Sequence, residues 1–552
     1  MNKNWIIYPK KSDDIIAQLL INRGIKDKEQ FFNPSFDKDL NDPFLFSGMD
    51  KAVKRIQKAI KNKEKVGIFA DYDADGIPGA ALLWKVFKIL NLKTSVYIPT
   101  RDEGYGLNES GVRDLSKGGC KLLITVDLGV INKKEVEIAK KMGMDVIVTD
   151  HHEFTKEKIA NNAFTVLHPK LSPKYPNKNL AGGGVAFKFA QALSQKINKP
   201  GKNELKWLLE LPAISTVCDC VEILGENRTI VKYGLMVLRK SRNIGLQALY
   251  REAGIDPEKI DTYNIGFQIG PRINAPGRMD HAAAAFYLLT TEDKKEAQKV
   301  AKKLNKINYD RQQELDRVLR EAEAKIQTRK LHKNKIILVS GKDWPMGIIG
   351  LVAGRLMNKY SRPVIVFKRE GNLSKGSARS IDSFHILEAL EKSKKYLLSH
   401  GGHAQAAGVS LENQHLATLY DELLEIAEAK IKLSDLTPKI SVDAEIKPKD
   451  INFKLLESLK KFEPHGIGNP RPIFLVKNMI IKSKKMVGKD QNHVKLKISD
   501  ENCLQEFDAI GFNFSDIAKT LSPGSKIDAV FTLEENIFNG KRTAQLKLLD
   551  CR

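Results

Sequence analysis

The chain is poor in cysteine and has no long apolar run. Its five cysteines, at positions 120, 218, 220, 503 and 551, show no spacing typical of a zinc site or a disulfide framework. The longest apolar runs fall far short of a membrane span, and the start, MNKNWIIYPKK, has no apolar core of signal-peptide length. These absences argue against a disulfide-stabilised secreted protein and a membrane protein, and they predict a cytoplasmic location.

Acidic residues are outnumbered by basic ones. The chain has 91 Lys and Arg against 67 Asp and Glu, a formal net charge of +24. This excess favours a polyanionic partner, most often nucleic acid, although a lysine-rich surface that only keeps a protein in solution gives the same balance. With 552 residues the chain is also too long for one core, which predicts three or four domains.

Two stretches alternate Val- and Ile-rich runs with amphipathic runs and are predicted α/β blocks, and in the first of them the pattern indicates βαβ units and a parallel sheet. The first, about 65–170, contains KVGIFADYD, KLLITVDLG and MDVIVTDHH, and the second spans about 333–432. Between them lie a mostly helical stretch, about 182–265, and a segment of helical spacing over about 290–329. The latter predicts one long helix that joins two domains.

Local sequence signals also mark the start of the long helix and the last block of the chain. Thr290 and Asp293 form a candidate capping pair at the start of the long helix. The last block, about 438–552, alternates with period 2 in HVKLKIS and AQLKLL and has a hairpin signal at Asn539-Gly540. Several short strands in this length predict a small barrel of the OB type, a common nucleic-acid-binding module.

Acidic side chains stand at the ends of three strands in the first block. They are Asp71, Asp73 and Asp75 in FADYDADG, Asp127 in ITVDLG, and Asp150 with His151 and His152 in VTDHH. The carboxyl ends of parallel strands converge on one edge of a sheet, where ligands bind in open α/β folds. So many carboxylates repel one another unless cations lie between them. Carboxylates with imidazoles predict two divalent ions, Mn²⁺ or Mg²⁺.

Each part of this pattern has an ordinary explanation when taken alone. An Asp-x-Asp is usually a turn, a pair of histidines is usually a surface feature, and Asp219 in VCDCVEILGENR either caps a helix or faces the metals. Three acidic strand ends in successive βαβ units are much harder to explain in that way. Two divalent ions about 3.5–4 Å apart activate water and hold the leaving oxygen of a phosphoryl group. The pattern therefore predicts metal-dependent hydrolysis of a phosphate ester or anhydride.

The same motifs resemble a known family. DYDADG, TVDLG, TDHH and VCDCVEILGENR are similar to the four successive motifs of the DHH phosphoesterases, and GGHAQAAG is similar to the signature of the DHH-associated domain. Further segments, among them LAGGGVAFK, IGPRINAPGR, LNKINYDRQ, KGSARSI and FEPHGIGNPRP, resemble the single-strand-specific exonucleases of that family. The likeness runs from about residue 45 to the C-terminus.

The resemblance implies a role for each acidic or histidine residue of these motifs. The implied metal ligands are Asp71, Asp73, Asp75, Asp127, His151 and Asp219. His152 is implied to lie nearer the substrate phosphate, and Asp150 to orient an imidazole.

The resemblance also implies phosphate-binding groups. They are Arg101, Arg278 and Arg379, with Ser377 and His403 as further hydrogen-bonding groups. Each arginine would otherwise be a surface ion pair, and the glycines around His403 a tight packing turn. Where relatives have His in WHxG, this chain has Pro345, which has no hydrogen to donate.

The activity implied by the resemblance is a metal-dependent exonuclease that degrades single-stranded DNA from 5′ to 3′ into 5′-mononucleotides, in DNA repair and recombination. We expect a monomer without a membrane partner, with a helicase and a single-strand-binding protein as candidate partners. One alternative is a phosphodiesterase for short oligonucleotides or cyclic dinucleotides, which usually lacks the barrel. The other is a non-catalytic DNA-binding scaffold of the same fold, which typically lacks some of the ligands.

The predicted fold class is a multidomain α/β protein. It comprises a parallel-sheet DHH phosphoesterase domain, a long connecting helix, a second α/β DHH-associated domain and a C-terminal OB-like β-barrel. The predicted boundaries are an N-terminal segment 1–45, the DHH domain with its helical extension 46–280, the connecting helix 281–331, the DHH-associated domain 332–436 and the barrel 437–552. Residues 1–45 have no predicted task.

Overall fold

The computed structural model describes residues 3–279, 281–502, 504–538 and 540–552. One strand and three α-helices precede the first large sheet. They are β1 (Asn4–Ile7), α1 (Ile15–Asn22), α2 (Lys28–Phe32) and α3 (Met49–Lys61). Asp14 and Asp27 begin α1 and α2 as N-caps whose carboxylates accept backbone N–H bonds, the usual role of Asp at that position.

A five-stranded parallel sheet forms the first block, as predicted. Its elements are β2 (Lys65–Ala70), α4 (Gly76–Ile89), β3 (Thr94–Tyr97), α5 (Glu109–Lys117), β4 (Cys120–Val126), α6 (Lys133–Lys141), β5 (Asp145–Thr149) and β6 (Thr165–Leu167). The strand order is β3-β2-β4-β5-β6. The central strands are buried on both faces, which is why they are unbroken apolar runs. Their carboxyl ends meet at one edge.

Helices connect this sheet to the second one. They are α7 (Gly182–Ile197), α8 (Lys202–Trp207), α9 (Glu210–Cys218), α10 (Gly225–Arg239), α11 (Ile244–Ala253), α12 (Thr262–Asn264), α13 (Gly270–Asn274), α14 (Pro276–Met279), α15 (Ala283–Thr290) and α16 (Lys294–Thr328). A π-helical turn, Ile265–Ile269, lies between α12 and α13. The predicted long connecting helix is α16.

The start of α16 differs from its prediction. Asp293 caps the helix alone, because its Oδ1 accepts the N–H groups of Lys295 and Glu296 at 2.7 and 3.1 Å. Thr290 instead ends α15, where its hydroxyl donates to the carbonyl of Phe286. The predicted Thr290–Asp293 pair was therefore wrong. No helix in the described ranges, α16 included, is long and apolar enough to cross a membrane.

A mixed five-stranded sheet forms the second block. Its elements are β7 (Ile337–Gly341), α17 (Met346–Tyr360), β8 (Val364–Glu370), β9 (Leu373–Arg379), α18 (Ile386–Lys392), β10 (Ser399–Gly402), β11 (Ala406–Glu412) and α19 (Leu416–Lys430). The order is β10-β11-β9-β8-β7, and only the β7–β8 pair in it is parallel. Helix α17 packs on β8 and β9.

The last block is a closed barrel with a short lead-in. Its elements are β12 (Lys439–Val442), β13 (Ala444–Glu445), α20 (Phe453–Lys460), β14 (Phe474–Val487), β15 (His493–Ser499), β16 (Glu506–Gly511), α21 (Ser515–Ala518), β17 (Lys526–Phe538) and β18 (Lys541–Cys551). The order β14-β15-β16-β18-β17 closes because β14 also pairs with β17. Strands β17 and β18 pair as an antiparallel hairpin. Asn539 of the predicted turn lies outside the described residues.

The N-terminal segment packs against the barrel. Strand β1 pairs in parallel with β12, and Trp5 Nε1 donates to Asp550 Oδ2 at 2.8 Å. Leu19, Leu20 and Phe31 are buried in the same apolar core as the barrel strands. The two ends of the chain therefore form one packed unit.

Candidate active site

Asp71, Asp73 and Asp75 lie in the turn between β2 and α4, where backbone amides fix the first two carboxylates. Asp71 Oδ1 accepts the N–H of Tyr72 at 2.9 Å. Asp73 Oδ1 accepts the N–H groups of Asp75 and Gly76 at 2.8 and 3.1 Å. One oxygen of Asp73 is thus hydrogen-bonded to the backbone at the start of α4, and this bond fixes the orientation of the side chain.

Asp75 is held from the other side by helix α7. Its two carboxylate oxygens accept the N–H groups of Gly182 and Gly183, each at 2.7 Å. These glycines begin α7, and the N-terminal end of a helix favours a negative charge. A Cβ on Gly182 would lie 2.5 Å from the Cβ of Asp127, so the approach requires glycine. The sequence predictions missed this contact, for which the three glycines of LAGGGVAFK were the available signal.

His151 lies between three of the predicted ligands. Its Nε2 is 3.1 Å from Asp127 Oδ1, 3.5 Å from Asp75 Oδ2 and 3.7 Å from Asp219 Oδ2. Asp127 directly follows β4 and has a left-handed backbone, φ 64°, which turns its side chain out of the strand direction. Asp219 is the C-cap of α9, so it occupies a helix end and faces the cluster at once.

The predicted ligands assemble into three overlapping groups. Within each group the potential ligand atoms all lie within 4.8 Å of one another. The groups are Asp127 with His151 and His152, Asp75 with His151 and Asp219, and Asp71 with Asp73 and Asp127. Carboxylate oxygens with one or two imidazoles are a donor set that suits Mn²⁺ and Mg²⁺.

His152 is oriented by Asp150 and by Tyr105. Its Nδ1 donates to Asp150 Oδ1 at 2.8 Å, and its Nε2 lies 2.7 Å from the Tyr105 hydroxyl. Burial is the largest single influence and opposes ionisation of both partners, but this hydrogen bond and the attraction of nearby opposite charges together outweigh it, lowering the pKa of Asp150 to about 2 and raising that of His152 to about 9. Asp150 Oδ2 accepts the N–H of Val130. Tyr105 was not predicted, because nothing in the spacing of RDEGYGLN relates it to a histidine 47 residues later.

The carboxyl end of the first sheet, here called the acidic edge, contains Asp71, Asp73, Asp75, Asp127 and Asp219. It carries more negative charge than the surrounding protein groups can stabilise. Burial, reinforced by neighbouring carboxylates, raises the pKa of Asp71 and Asp127 well above its usual range, and raises that of Asp73 as well. The same causes raise the pKa of Asp219 to about 8. Asp127 Oδ1 and His151 Nε2 are buried without a hydrogen-bond partner within the described residues. Divalent cations fit this arrangement, since they stabilise the ionised carboxylates and bind the unpartnered atoms.

Two predicted arginines stand beside this edge. The Arg101 guanidinium lies over the ring of Tyr72 at 5.1 Å, and its Nε donates to the carbonyl of Gly277 at 3.2 Å. Arg278 Nη1 donates to the carbonyl of Gly347 at 3.1 Å, which connects the first domain to the start of α17. Burial, and then repulsion by neighbouring arginines, lowers the pKa of Arg278 to about 10, so its charge persists at neutral pH.

Ser377 and Arg379 lie on β9, next to α17. Arg379 Nη1 donates to the Ala378 carbonyl at 2.8 Å and lies 3.4 Å from Ser377 Oγ. A Cβ on Gly350 of α17 would lie 3.0 Å from Ser377 Oγ and 3.5 Å from Arg379 Nη2. The small residue leaves the polar ends of both side chains uncovered on that side.

His403 and Pro345, the other two residues singled out in the second domain, lie in different parts of it. His403 lies exposed between β10 and β11. The pKa of Glu153 is lowered mainly by its hydrogen bond with Lys170 and to a smaller extent by His403, so His403 lies within electrostatic reach of the loop that follows His152. Pro345 is the N-cap of α17 and offers no side-chain hydrogen bond.

Three family models match the chain. The N-terminal domain of the DHH family matches residues 65–216, the DHHA1 domain matches residues 333–433, and the RecJ OB domain matches residues 442–550. These matches fall on the parallel sheet, the mixed sheet and the barrel. Each of the three described folding units therefore has a counterpart among known domains.

Relatives match over nearly the whole length. The single-stranded-DNA-specific exonuclease RecJ of Bacillus subtilis is 36% identical over 97% of this chain and 67% of that protein, and that of Haemophilus influenzae is 31% identical over 92% and 91%. The crystal structure of RecJ from Thermus thermophilus in complex with Mn²⁺ has a TM-score of 0.84 at 26% identity, covering 100% of this chain and 79% of that one. The structure with Mg²⁺ has a TM-score of 0.78 at 25% identity, covering 100% and 78%. The chain therefore belongs to the RecJ family.

Proposed function

We propose that this protein is a metal-dependent exonuclease that degrades single-stranded DNA. The observation that carries the proposal is the acidic edge of the first sheet, where carboxylates and histidines form three overlapping groups whose ligand atoms lie within 4.8 Å of one another in each group. Relatives that match the whole chain are named single-stranded-DNA-specific exonucleases. The 5′-to-3′ direction, the release of 5′-mononucleotides and a role in DNA repair and recombination are inferred from family membership alone.

Two divalent ions, Mn²⁺ or Mg²⁺, are the proposed cofactors. RecJ of T. thermophilus has been crystallised with each of them. The proposed ligands are Asp71, Asp73, Asp75, Asp127, His151 and Asp219. When bound, such a pair of ions lowers the pKa of water and neutralises charge on a phosphoryl group. The chain's own contribution is to hold these side chains in place through the amides that fix Asp73 and Asp75.

His152 is the proposed donor to the substrate phosphate. Because the hydrogen bond from its Nδ1 to Asp150 keeps its pKa near 9, the imidazole is positively charged at neutral pH. Asp150 is then a positioning residue, which fixes the ring so that Nε2 points away from it. In the free protein Nε2 lies 2.7 Å from the Tyr105 hydroxyl, so that hydroxyl also sets its direction.

Phosphate oxygens would be bound from both α/β domains. Arg101 and Arg278 approach from the first domain, while Arg379, Ser377 and His403 approach from the second. A guanidinium forms paired hydrogen bonds with a phosphate, and none of these three arginines forms an ion pair with a carboxylate of the described residues. Contacts to a strand from both domains are the proposed basis of the preference for single strands.

The barrel is proposed to hold the strand that leads to the active site. The exposed ring of Phe512 packs edge-on against His493 at 5.1 Å, and Lys547 Nζ lies 5.7 Å from its centre. A ring beside a cation suits a base and its phosphate. In the proposed division of tasks, residues 46–280 and 332–436 bind the end of the strand that is cleaved, and residues 281–331 connect these two domains. Residues 437–552 bind the incoming strand. Residues 1–45 support the barrel.

The proposed setting is a monomer in the cytoplasm. Because the substrate is a single strand, a helicase that opens a duplex would supply it. A single-strand-binding protein would deliver the strand in extended form. Both partners are inferred from the substrate and are tested by adding them to the purified protein.

The test supplies 5′-labelled and 3′-labelled single strands, a duplex and a dinucleotide, each with Mn²⁺ or Mg²⁺ or with a chelator. We expect metal-dependent release of mononucleotides from the 5′ end of single strands and little attack on the duplex. Asp127→Asn should lower kcat at least about 100-fold, with DNA binding kept, because a ligand is lost while the phosphate-binding side chains remain. Asp114→Asn, an exposed acid on α5, is the matched control.

Two other outcomes would overturn the proposal. Preference for the dinucleotide over longer strands would indicate a short-oligonucleotide phosphodiesterase. Binding of single strands without any cleavage in Mn²⁺ or Mg²⁺ would indicate a scaffold.

A further inference from the structure

A cavity of about 510 Å³ lies where the first domain, the N-terminal segment and the lead-in of the barrel meet. Helix α10 lines it from the first domain, α2 from the N-terminal segment, and the end of α20 with the loop that follows from the barrel side. Its volume is within the range of small-molecule sites, about 300–1,000 Å³. None of its described lining residues belongs to the acidic edge, so the cavity is not part of the proposed metal site.

Positive charge in this cavity exceeds negative charge. Six Lys and Arg side chains line it, against the three acids Glu29, Asp261 and Glu463. Four of the six form no ion pair with any carboxylate of the described residues, namely Lys28, Lys232, Arg239 and Lys461. Arg239 donates to the neutral carbonyl of Ile260 at 2.9 Å, and Lys232 also donates to a carbonyl. Their charges therefore remain available to an anion.

His465 shows that the electrostatic potential in the cavity is positive. Its pKa is lowered to about 3, first by burial and then by the charges of Arg471, Arg23 and Arg228. Its Nδ1 is buried without a hydrogen-bond partner within the described residues. The imidazole is therefore neutral at physiological pH, and the charges that keep it neutral would stabilise a bound anion.

An apolar surface lies beside these charges. Phe32 is half-buried, and its ring packs edge-on against that of Phe462 at 5.2 Å. Met236 of α10 is 55% exposed, and both Phe32 and Met236 line the cavity. An aromatic ring and a flexible thioether suit a planar ligand. The ligand that fits both parts of the cavity carries a negative charge and an aromatic group.

We propose that this cavity is a binding site for a nucleoside phosphate. Lys232, Arg239 and Lys461 bind the phosphate groups. Phe32 and Met236 contact the base. Because three parts of the chain line the cavity, a bound nucleotide also stabilises the attachment of the barrel to the first domain. Two sources offer this chemistry, the mononucleotides released by the proposed reaction and the nucleoside triphosphates of the cell.

The first test observes the cavity itself. Full-length protein with ¹³C-methyl-labelled methionine is studied by NMR in EDTA, and the signal that is missing from Met236→Leu is assigned to Met236, one of ten methionines. Titration with dAMP or ATP should shift this signal in a saturable way, and the tighter of the two identifies the source. Inorganic phosphate and adenosine each offer half of the ligand and should bind at least about ten-fold more weakly. A Met236 signal that does not move at millimolar nucleotide would overturn the proposal.

The second test removes single charges and measures nucleotide affinity by calorimetry. Arg239→Gln and Lys461→Gln should each weaken binding about ten-fold, because a charge-assisted hydrogen bond to phosphate is lost. Lys240→Gln, which removes an exposed charge from the same end of α10, is the matched control and should bind as the wild type does. Both positions of the test variants are exposed, so the variants should fold. Wild-type affinity in both of them would disprove the site.

The inference and the proposed function can fail separately. Nucleotide binding without cleavage of single strands would support the cavity and remove the exonuclease, whereas cleavage without nucleotide binding would do the reverse. If no nucleotide binds, while Arg239→Gln and Lys461→Gln weaken the binding of a DNA strand, the cavity belongs to the substrate path and the proposal is wrong.

Discussion

At the scale of single residues, the acidic edge depends on a glycine as much as on its carboxylates. The N–H of Gly182 donates to Asp75 at 2.7 Å, and a Cβ at this position would lie 2.5 Å from both Cβ and Oδ1 of Asp127. The start of α7 therefore contacts two carboxylates at once, those of Asp75 and Asp127. A methyl group would have to displace one of them.

We expect Gly182→Ala to lower Mn²⁺ affinity and kcat by at least about ten-fold, because Asp127 can no longer hold its position. Gly184→Ala is the matched control on the same turn, since its Cβ would meet only the Leu180 side chain, at 3.2 Å. Calorimetric titration with Mn²⁺ and the strand-cleavage assay measure the two effects. Wild-type Mn²⁺ affinity in Gly182→Ala would contradict the tight fit.

A second residue, Glu210 of α9, is a buried acid outside the proposed site. Burial raises its pKa from 4.5 to about 7, against the lowering effects of the Ser241 hydroxyl, which donates to it at 2.6 Å, and of the Lys85 charge. Tyr250, also buried, is the other titratable group within electrostatic reach. In the unfolded chain this carboxyl ionises near its ordinary value. The folded protein therefore holds an extra proton between pH 4.5 and 7.

The free energy of unfolding should accordingly fall as pH rises through this window, by up to about 3 kcal/mol from this group. Glu210→Gln removes the ionisation, so we expect the variant to gain stability relative to the wild type at pH 8 and not at pH 4.5. Chemical denaturation at the two pH values measures the difference. An equal difference at both would show that Glu210 does not ionise in this window.

At the scale of elements, the first turn of α16 shows how a helix start is decided. The Asp293 carboxylate accepts two backbone N–H groups that would otherwise lack partners. We expect Asp293→Ala to lower the free energy of unfolding by about 1 kcal/mol, and Asp293→Asn, whose amide oxygen can accept the same bonds, to lower it much less. Denaturant titration of both variants measures the loss. Wild-type stability in Asp293→Ala would mean that the cap contributes nothing.

The elements differ in how far the sequence predicts them. Buried parallel strands are unbroken apolar runs, so β2, β4 and β5 and the acids that follow them were predictable. The pairing of Asp75 with the start of α7, and of His152 with Tyr105, joins segments far apart in the chain, and no local periodicity encodes it. The π-helical turn Ile265–Ile269 was not predictable either, because one extra residue per turn leaves no signature in composition.

At the scale of the whole molecule, one buried guanidinium joins three parts of the chain. Arg228 of α10 is 1% exposed and donates to the carbonyls of Phe31, Phe462 and Glu463 at 2.7, 3.0 and 2.7 Å, and to two neighbouring carbonyls of the barrel segment. It also lies 3.9 Å from the centre of the Phe31 ring. The N-terminal segment and the barrel are thus both attached to the first domain, which gives residues 1–45 a structural task.

Arg228→Met should detach the barrel from the first domain while both cores stay folded. The substitution leaves carbonyls buried without donors, each at a cost of about 1–3 kcal/mol, whereas the apolar clusters of the two parts are separate and unchanged.

We expect a larger radius of gyration in X-ray scattering and faster proteolysis in the segment leading to β12. Arg251→Met on the exposed face of α11 is the control. Arg228→Lys keeps the charge but has fewer hydrogen-bond donors. Its radius of gyration and its rate of proteolysis should lie between those of the wild type and those of Arg228→Met. If Arg228→Met scatters and resists protease as the wild type does, then β1, α1 and their apolar contacts are sufficient to hold the barrel in place.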